Sequence, residues 1–122
     1  MDGLVSALGG GHDRANFVLT NDEDSWLGLV IVRLEESTSS AAELLAIWVA
    51  PEARGRGAAQ SLCYACAVWA KERGCEELTL SVAVDNEGAQ RAYAKAGFAV
   101  RGQTTSSHGE RALDVLVMSR TL

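Results

Sequence analysis

The stretch VAPEARGRGAAQSL, Val49 to Leu62, joins a strand-like run to a helix-like run, and this junction constrains the fold more than any other part of the chain. ELLAIWVA (Glu43 to Ala50) is almost wholly apolar and stops at Pro51, the only proline, which cannot continue a hydrogen-bonded ladder. From Ala58 to Arg73 apolar residues recur at Ala59, Leu62, Cys63, Cys66, Trp69 and Ala70, spacings of three and four that mark one helix face. Gly74 suits the left-handed residue that closes a helix. ELTLSVAV then alternates, with Leu78, Leu80, Val82 and Val84 on one side and Thr79, Ser81 and Ala83 on the other. A strand, a helix and a second strand in this order predict a right-handed crossover joining parallel strands between Glu43 and Val84.

The flanks complete a mixed α/β sheet. ANFVLT and WLGLVIVRLEE read as two further strands, the second apolar on both sides and so interior, with turns at NDED and STSSA. Asn86 is a good N-cap for a helix over Glu87 to Ala96, and Gly97 is a good stop. FAVRGQT and ALDVLVMS are the last two strands, joined through SSHGE. The first fifteen residues, with three consecutive glycines, read as a loose leader. The expectation is one domain over residues 1–122, with about six strands and two main helices.

Composition excludes several function classes. A net charge of −5 without a basic stripe argues against a general nucleic-acid binder. No apolar run approaches the roughly 20 residues of a membrane span, and no signal peptide is visible, so a cytoplasmic protein is expected. Three cysteines, an odd number, do not suggest a disulfide framework. Cys63 and Cys66 form a C-x-x-C, but no second pair follows at ligand spacing. His12 and His108 lie far off, so the pair reads as two buried side chains on a helix face, and no metal site is expected.

The glycines and arginines of the opening stretch suit an anion. A helix N-terminus presents unpartnered N–H groups with partial positive charge, and glycine lets a phosphate come close. Gly55 and Gly57 stand where the chain turns into the helix, and Arg54 and Arg56 add charge to an acidic chain. Neither G-x-x-x-x-G-K-[ST] nor a G-x-G-x-x-G followed by its acidic partner is present. A turn that binds nothing is the plain alternative.

RGRGAA, Arg54 to Ala59, resembles the R/Q-x-x-G-x-G/A loop of the GNAT superfamily of N-acetyltransferases. DNEGAQRAYAKAGF, Asp85 to Phe98, is similar to a second part of that family, and WVAPEARGRG with WAKERG supports both. The resemblance covers about two-thirds of the chain, from Trp26 to the C-terminus. It implies that acetyl-coenzyme A lies where the two central parallel strands splay apart. Its pyrophosphate would sit on the main chain of Arg54, Gly55, Arg56, Gly57, Ala58 and Ala59. Main-chain groups of Ile47, Trp48 and Val49 would pair with the pantetheine, and Asn86 and Ala89 belong to the same binding segment. Tyr93 occupies the family's general-acid position, protonating the departing thiolate, while an N–H of Val49 or a neighbour steadies the oxyanion.

The base that takes the amine's proton is less marked. Glu43 is the first candidate, with Glu35 and Glu36 as further options, against the plain alternative of solvated strand-end charges. Trp26 and Trp48 could line an acceptor pocket or belong to the core. The family's usual chain opens with a strand and two helices that form one wall of the acceptor site, whereas this chain reads as a short form lacking them. Their absence should bare apolar surface beside the sheet, and a homodimer is expected to cover it. The implied function is acetyl transfer to a primary amine, the acidic balance favouring a cationic acceptor such as a polyamine, aminoglycoside or lysine side chain. Two alternatives stay open: a degenerate module that binds acyl-coenzyme A or a protein partner without turnover, and a plain phosphate-binding α/β domain.

Overall fold

A computed structural model describes residues 3–36, 40–108 and 111–122, the side chains of Ser107 and His108 apart. Most of the STSSA turn and the end of SSHGE therefore lie outside the described residues, as does the His108 side chain. The chain runs β1 (Leu4–Gly10), β2 (Arg14–Thr20), β3 (Trp26–Leu34), β4 (Ala41–Val49), a 3₁₀ turn (Pro51–Ala53), α1 (Ala58–Glu72), β5 (Glu77–Ala83), α2 (Glu87–Lys95), β6 (Ala99–His108) and β7 (Arg111–Thr121). All seven strands form one sheet in the order β1-β2-β3-β4-β5-β7-β6. Only β4 and β5 are parallel, and the rest are antiparallel.

The mixed sheet and both helices agree with the sequence reading, whereas the loose leader does not. Leu4–Gly10 is a strand on the sheet edge, raising the expected six strands to seven. The three glycines that suggested looseness build its turn. Gly9 and Gly10 take φ of 122° and 136°, and the Gly11 N–H donates to the Arg14 carbonyl at 2.9 Å. A strand therefore precedes the antiparallel run of β2, β3 and β4. Between β1 and β2 there is only a tight hairpin and no helix.

Helix α1 lies on the face made by alternate strand residues. A Cβ on Gly28 would meet Leu62 Cδ1 at 2.8 Å, so α1 sits directly on β3. Val30 and Val32 share that face and are fully buried, as are Leu62, Cys63 and Cys66 of α1 and Leu78 of β5. Helix α2 covers the same face further along, where Arg120 of β7 donates to the Ala96 carbonyl at 3.0 Å. Among the described residues neither helix lies on the opposite face, which carries Arg33, Glu43, Thr79 and Ser119 in one paired row.

Candidate active site

The parallel pair sets the site. β4 and β5 pair only at Ala41–Glu77, Ala42–Leu78 and Glu43–Thr79, after which β4 continues to Val49 and β5 to Ala83 without contact in the ladder. The two strands thus form a V that opens toward their C-terminal ends. Beyond Glu43 the β5-facing main chain of β4, at its end the N–H and C=O groups of Ile47 and Val49, has no partner strand, and a ligand lying there can pair as an added strand, whereas Trp48, also expected to pair with the ligand, turns its main chain to Leu29 of β3. Near the apex, Ile31 pairs with Ala46 and Val32 with Leu44, leaving Leu45 as the extra residue of a β-bulge. A bulge bends its strand and re-aims it, so Leu45 helps to drive the strands apart. No sequence signal marks it, because Leu45 extends an unbroken apolar run.

At the mouth of the V, Gly55 and Gly57 adopt φ of 76° and 85°, and Gly57 serves as the N-cap of α1 without a side-chain cap. Ser61 N–H donates to the Gly57 carbonyl at 3.0 Å, and among the described residues the N–H groups of Gly55 to Gln60 make no short, well-aligned main-chain hydrogen bond across the turn from Arg54 to Gly57. These amides form a cradle of fixed donors at the positive end of a 15-residue helix. Ala58 is buried beneath it, while Ala59 is half-buried. Arg54 and Arg56 are exposed, and the Arg54 Nε donates to the Val49 carbonyl at 3.3 Å, tying the cradle to the end of β4.

Helix α2 supplies the other wall. Asn86 caps it by accepting from the Ala89 N–H at 3.1 Å, which leaves the Asn86 amide NH₂ as a free donor among the described residues. Gln90 was not singled out by sequence, yet its Nε2 donates to both the Ala83 and Val84 carbonyls, at 3.1 and 2.9 Å. It pins the end of β5 on the α2 side of the V. Tyr93 is only 9% exposed and stands edge-to-face with Phe98 at 6.2 Å. Among the described residues its hydroxyl makes no hydrogen bond. Burial pushes its phenol up to about 12, the neighbouring Cys63 sulfur adding to the effect, so at neutral pH it holds its proton.

The candidate bases lie across the sheet. Glu43 stands on the open face at the apex of the V, where Arg33 donates to its Oε1 at 3.2 Å. Glu35 accepts from the Thr79 hydroxyl at 3.1 Å, and Thr79 is the residue paired with Glu43. Two carboxylates thus flank one position on the open side of the apex. Glu36 is exposed on the bend after β3 and joins neither. Trp48 pairs with Leu29 on the open face and is 47% exposed, and Trp26 is 50% exposed, so neither is a core residue. Cys63, Cys66 and Cys75 are buried free thiols whose ionisation burial opposes, which suits packing rather than nucleophilic or ligand chemistry.

A family model described as the acetyltransferase (GNAT) family matches residues 6–98. N-alpha-acetyltransferase 30 of Schizosaccharomyces pombe is 33% identical over 79 residues, covering 63% of this chain and 53% of the relative, so the chain spans about half the length of that curated protein. Among solved structures, nourseothricin acetyltransferase superposes with a TM-score of 0.81 at 26% identity, over 99% of this chain and 85% of the other. Spermidine N-acetyltransferase from Vibrio cholerae, in complex with CoA and spermine, gives 0.73 at 26% identity over 89% and 66%. The V between β4 and β5, the amide cradle after Pro51 and the match over most of its length establish that the chain belongs to the GNAT acetyltransferase family.

Proposed function

We propose that the chain is an acetyl-coenzyme A-dependent N-acetyltransferase acting on a primary amine. The observation that carries this reading is the V itself, which has unpaired main chain along β4, free amides at its mouth and a protonated phenol on the adjoining helix. Acetyl-coenzyme A supplies an acetyl group activated as a thioester. The amides of Gly55 to Gln60, with Arg56 beside them, fit its diphosphate. Main-chain groups of Ile47 and Val49 and the Asn86 amide fit the two amide groups of the pantetheine arm.

Tyr93 holds the proton that the departing sulfur requires. A phenol near 12 is a reluctant acid, and an ordinary thiolate is a weaker base than its phenolate, but the burial that lifts the neighbouring Cys63 thiol to about 12 acts equally on a sulfur leaving in the same cleft and brings donor and acceptor into balance. Glu43 takes the proton that the amine nitrogen loses as it bonds to the carbonyl carbon, directly or through one water. A cationic acceptor approaches from the open face, where Glu35 and Glu43 supply negative charge in a chain of net charge −5. The same reading makes the protein cytoplasmic and homodimeric, with no nucleic-acid or membrane partner. No described helix is long and apolar enough to cross a membrane.

One observation favours a second reading. The connection from β1 to β2 is a hairpin, where the family resemblance implies two helices walling the acceptor site, so the chain could hold the coenzyme without turning it over. Thiol release from acetyl-coenzyme A over spermine, an aminoglycoside, lysine and an N-terminal peptide separates the two. The enzyme reading expects amine-dependent release that Tyr93→Phe abolishes. Tight coenzyme binding by calorimetry without release, unaffected by that substitution, selects the binding module. No binding of coenzyme A at all rejects both.

A further inference from the structure

Gln90 stands within the stripe of α2 that faces the coenzyme, yet it takes no part in the chemistry proposed above. Asn86, Gln90 and Tyr93 are spaced i, i+4 and i+7 and share one side of the helix. Asn86 carries the amide assigned to the pantetheine arm, and Tyr93 the proton for the leaving sulfur, so Gln90 lies between the two groups. Its own side chain turns to β5. Nε2 donates to the Ala83 carbonyl at 3.1 Å and to the Val84 carbonyl at 2.9 Å. Only the NH₂ of the amide can meet two carbonyls, so both of its protons are committed to β5.

The carbonyls it holds lie where β5 runs out of neighbours. β5 pairs with β7 as far as Ala83–Val115, and its pairing with β4 stops at Thr79. The Val84 N–H donates to the Asp114 carbonyl at 3.1 Å, so the main chain of Val84 and Val82 faces β7 and that of Ala83 and Ser81 faces the side that β4 has left. The Ala83 carbonyl therefore borders the V, where it accepts from Gln90 and from the Asn86 N–H, the latter at 3.0 Å. One side chain ties α2 directly to an arm of the V.

α2 depends on such ties. A helix of nine residues does not hold its shape alone, and Tyr93 is its only buried residue. At its C-terminal end, Arg120 donates to the Ala96 carbonyl at 3.0 Å and Phe98 stands edge-to-face with Tyr93. Ahead of Tyr93, Gln90 is the one side chain of α2 that bonds to a strand end among the described residues.

We infer that Gln90 is a positioning residue for acetyl transfer: its two hydrogen bonds clasp the front of α2 to the end of β5 and so fix Asn86 and Tyr93 over the V. The inference rests on the acetyl-transfer reading above and adds a residue to it. A misplacement of about 1 Å between reacting groups costs up to about 10²-fold in rate, so a loosened α2 is felt in kcat as well as in stability.

The test compares Q90M, which keeps the length and helix preference of glutamine without a donor, with Q90K, which brings donors back. Q90A repeats the loss with no side chain to place. Circular dichroism checks that each variant is folded. Thiol release is followed at saturating acetyl-coenzyme A with spermine, an aminoglycoside, lysine and an N-terminal peptide, and hydrogen exchange is measured over Glu87–Lys95. Q90M and Q90A should lose about tenfold or more in kcat, and their α2 amides should exchange about tenfold faster. Q90K should recover most of both. Coenzyme affinity restored in Q90K without kcat would trace to its added charge alone and reject the clasp. Equal losses in Q90M and Q90K, or a lowered kcat with unchanged exchange, reject it too. Folded Q90M and Q90A that match the wild type overturn the role of Gln90 and leave the acetyl-transfer reading standing. A wild type that releases no thiol with any of the four amines overturns that reading and this role with it.

Discussion

Tyr93 and Gly57 illustrate how much single residues carry. The Tyr93 phenol is pushed from an ordinary 10.0 to about 12, mainly by burial. Its folded value exceeds its unfolded one, so its contribution to stability is complete below pH 10 and is lost as pH rises toward 12. Two pKa units correspond to roughly 2–3 kcal/mol. Thermal melts should therefore hold a steady Tm from pH 8 to 9 and a falling one from there to pH 11, and Tyr93→Phe should fall less steeply. Cys63 is shifted the same way, from 9.0 to about 12, so it keeps part of the slope in that variant. In steady-state assays the same variant should lose on the order of 10²–10³-fold in kcat, the contribution of a positioned acid, with coenzyme affinity changed by less than about threefold. Gly57, at φ 85°, permits no such economy. Gly57→Val should cost about 1–2 kcal/mol in the left-handed region and weaken coenzyme binding measured by calorimetry, because the amide cradle depends on that backbone turn.

At the scale of elements, the seat of α1 on β3 is the tightest joint. A side chain at Gly28 would press on Leu62 Cδ1 at 2.8 Å and on the Trp48 carbonyl at 3.0 Å. Gly28→Val should lower the urea midpoint by the equivalent of about 1–3 kcal/mol, with an unchanged slope, since overpacking strains the fold without altering the surface exposed on unfolding. What could be read from sequence at this scale was whatever repeats. The 3-and-4 spacing of Leu62, Cys63, Cys66, Trp69 and Ala70 and the alternation of Leu78, Leu80 and Val82 each gave the right element and the right buried face, while Ala59, read into the first pattern, is only half-buried and Val84, read into the second, lies past the strand end and is 37% exposed. The two helix stops were legible because Gly74 and Gly97 take left-handed φ of 82° and 97°, and the start of α2 because the Asn86 side chain caps it by accepting from the Ala89 N–H. β1 was not, because an edge strand gains its order from one neighbour alone, and Leu4–Gly10 carries too little alternation to outweigh three glycines. The Leu45 bulge and the grip of Gln90 on β5 were invisible for a different reason. Both are relations between strands, and neither residue type announces them.

The whole molecule separates its chemistry across the two faces of the sheet. Tyr93 and the amide cradle belong to the helical side, whereas Glu43 and Glu35 belong to the open side, and the V at the end of β4–β5 pairing is the passage between them. In the proposed reaction this separation sets proton donor and proton acceptor on opposite sides of one carbonyl carbon, where they do not neutralise each other. The motifs revealed the helical half, since RGRGAA and DNEGAQRAYAKAGF lie wholly within it, but the open half depended on register, which places Arg33, Glu43 and Thr79 in one row. A primary amine with a pKa near that of lysine, about 10.4, is almost fully protonated at pH 7 and must be deprotonated before it can attack. Glu43→Gln keeps the side-chain shape and an oxygen acceptor toward Arg33 while removing the base. Its kcat/KM should fall about 10–10²-fold at pH 7, and the deficit should shrink steadily between pH 7 and 9 as solvent takes over the deprotonation. Tyr93→Phe should show a deficit that stays constant over that window, because the leaving sulfur requires its proton whatever the state of the amine. A constant deficit for both variants would place Glu43 in acceptor binding instead of proton transfer, and no deficit for Glu43→Gln would assign the base to water alone.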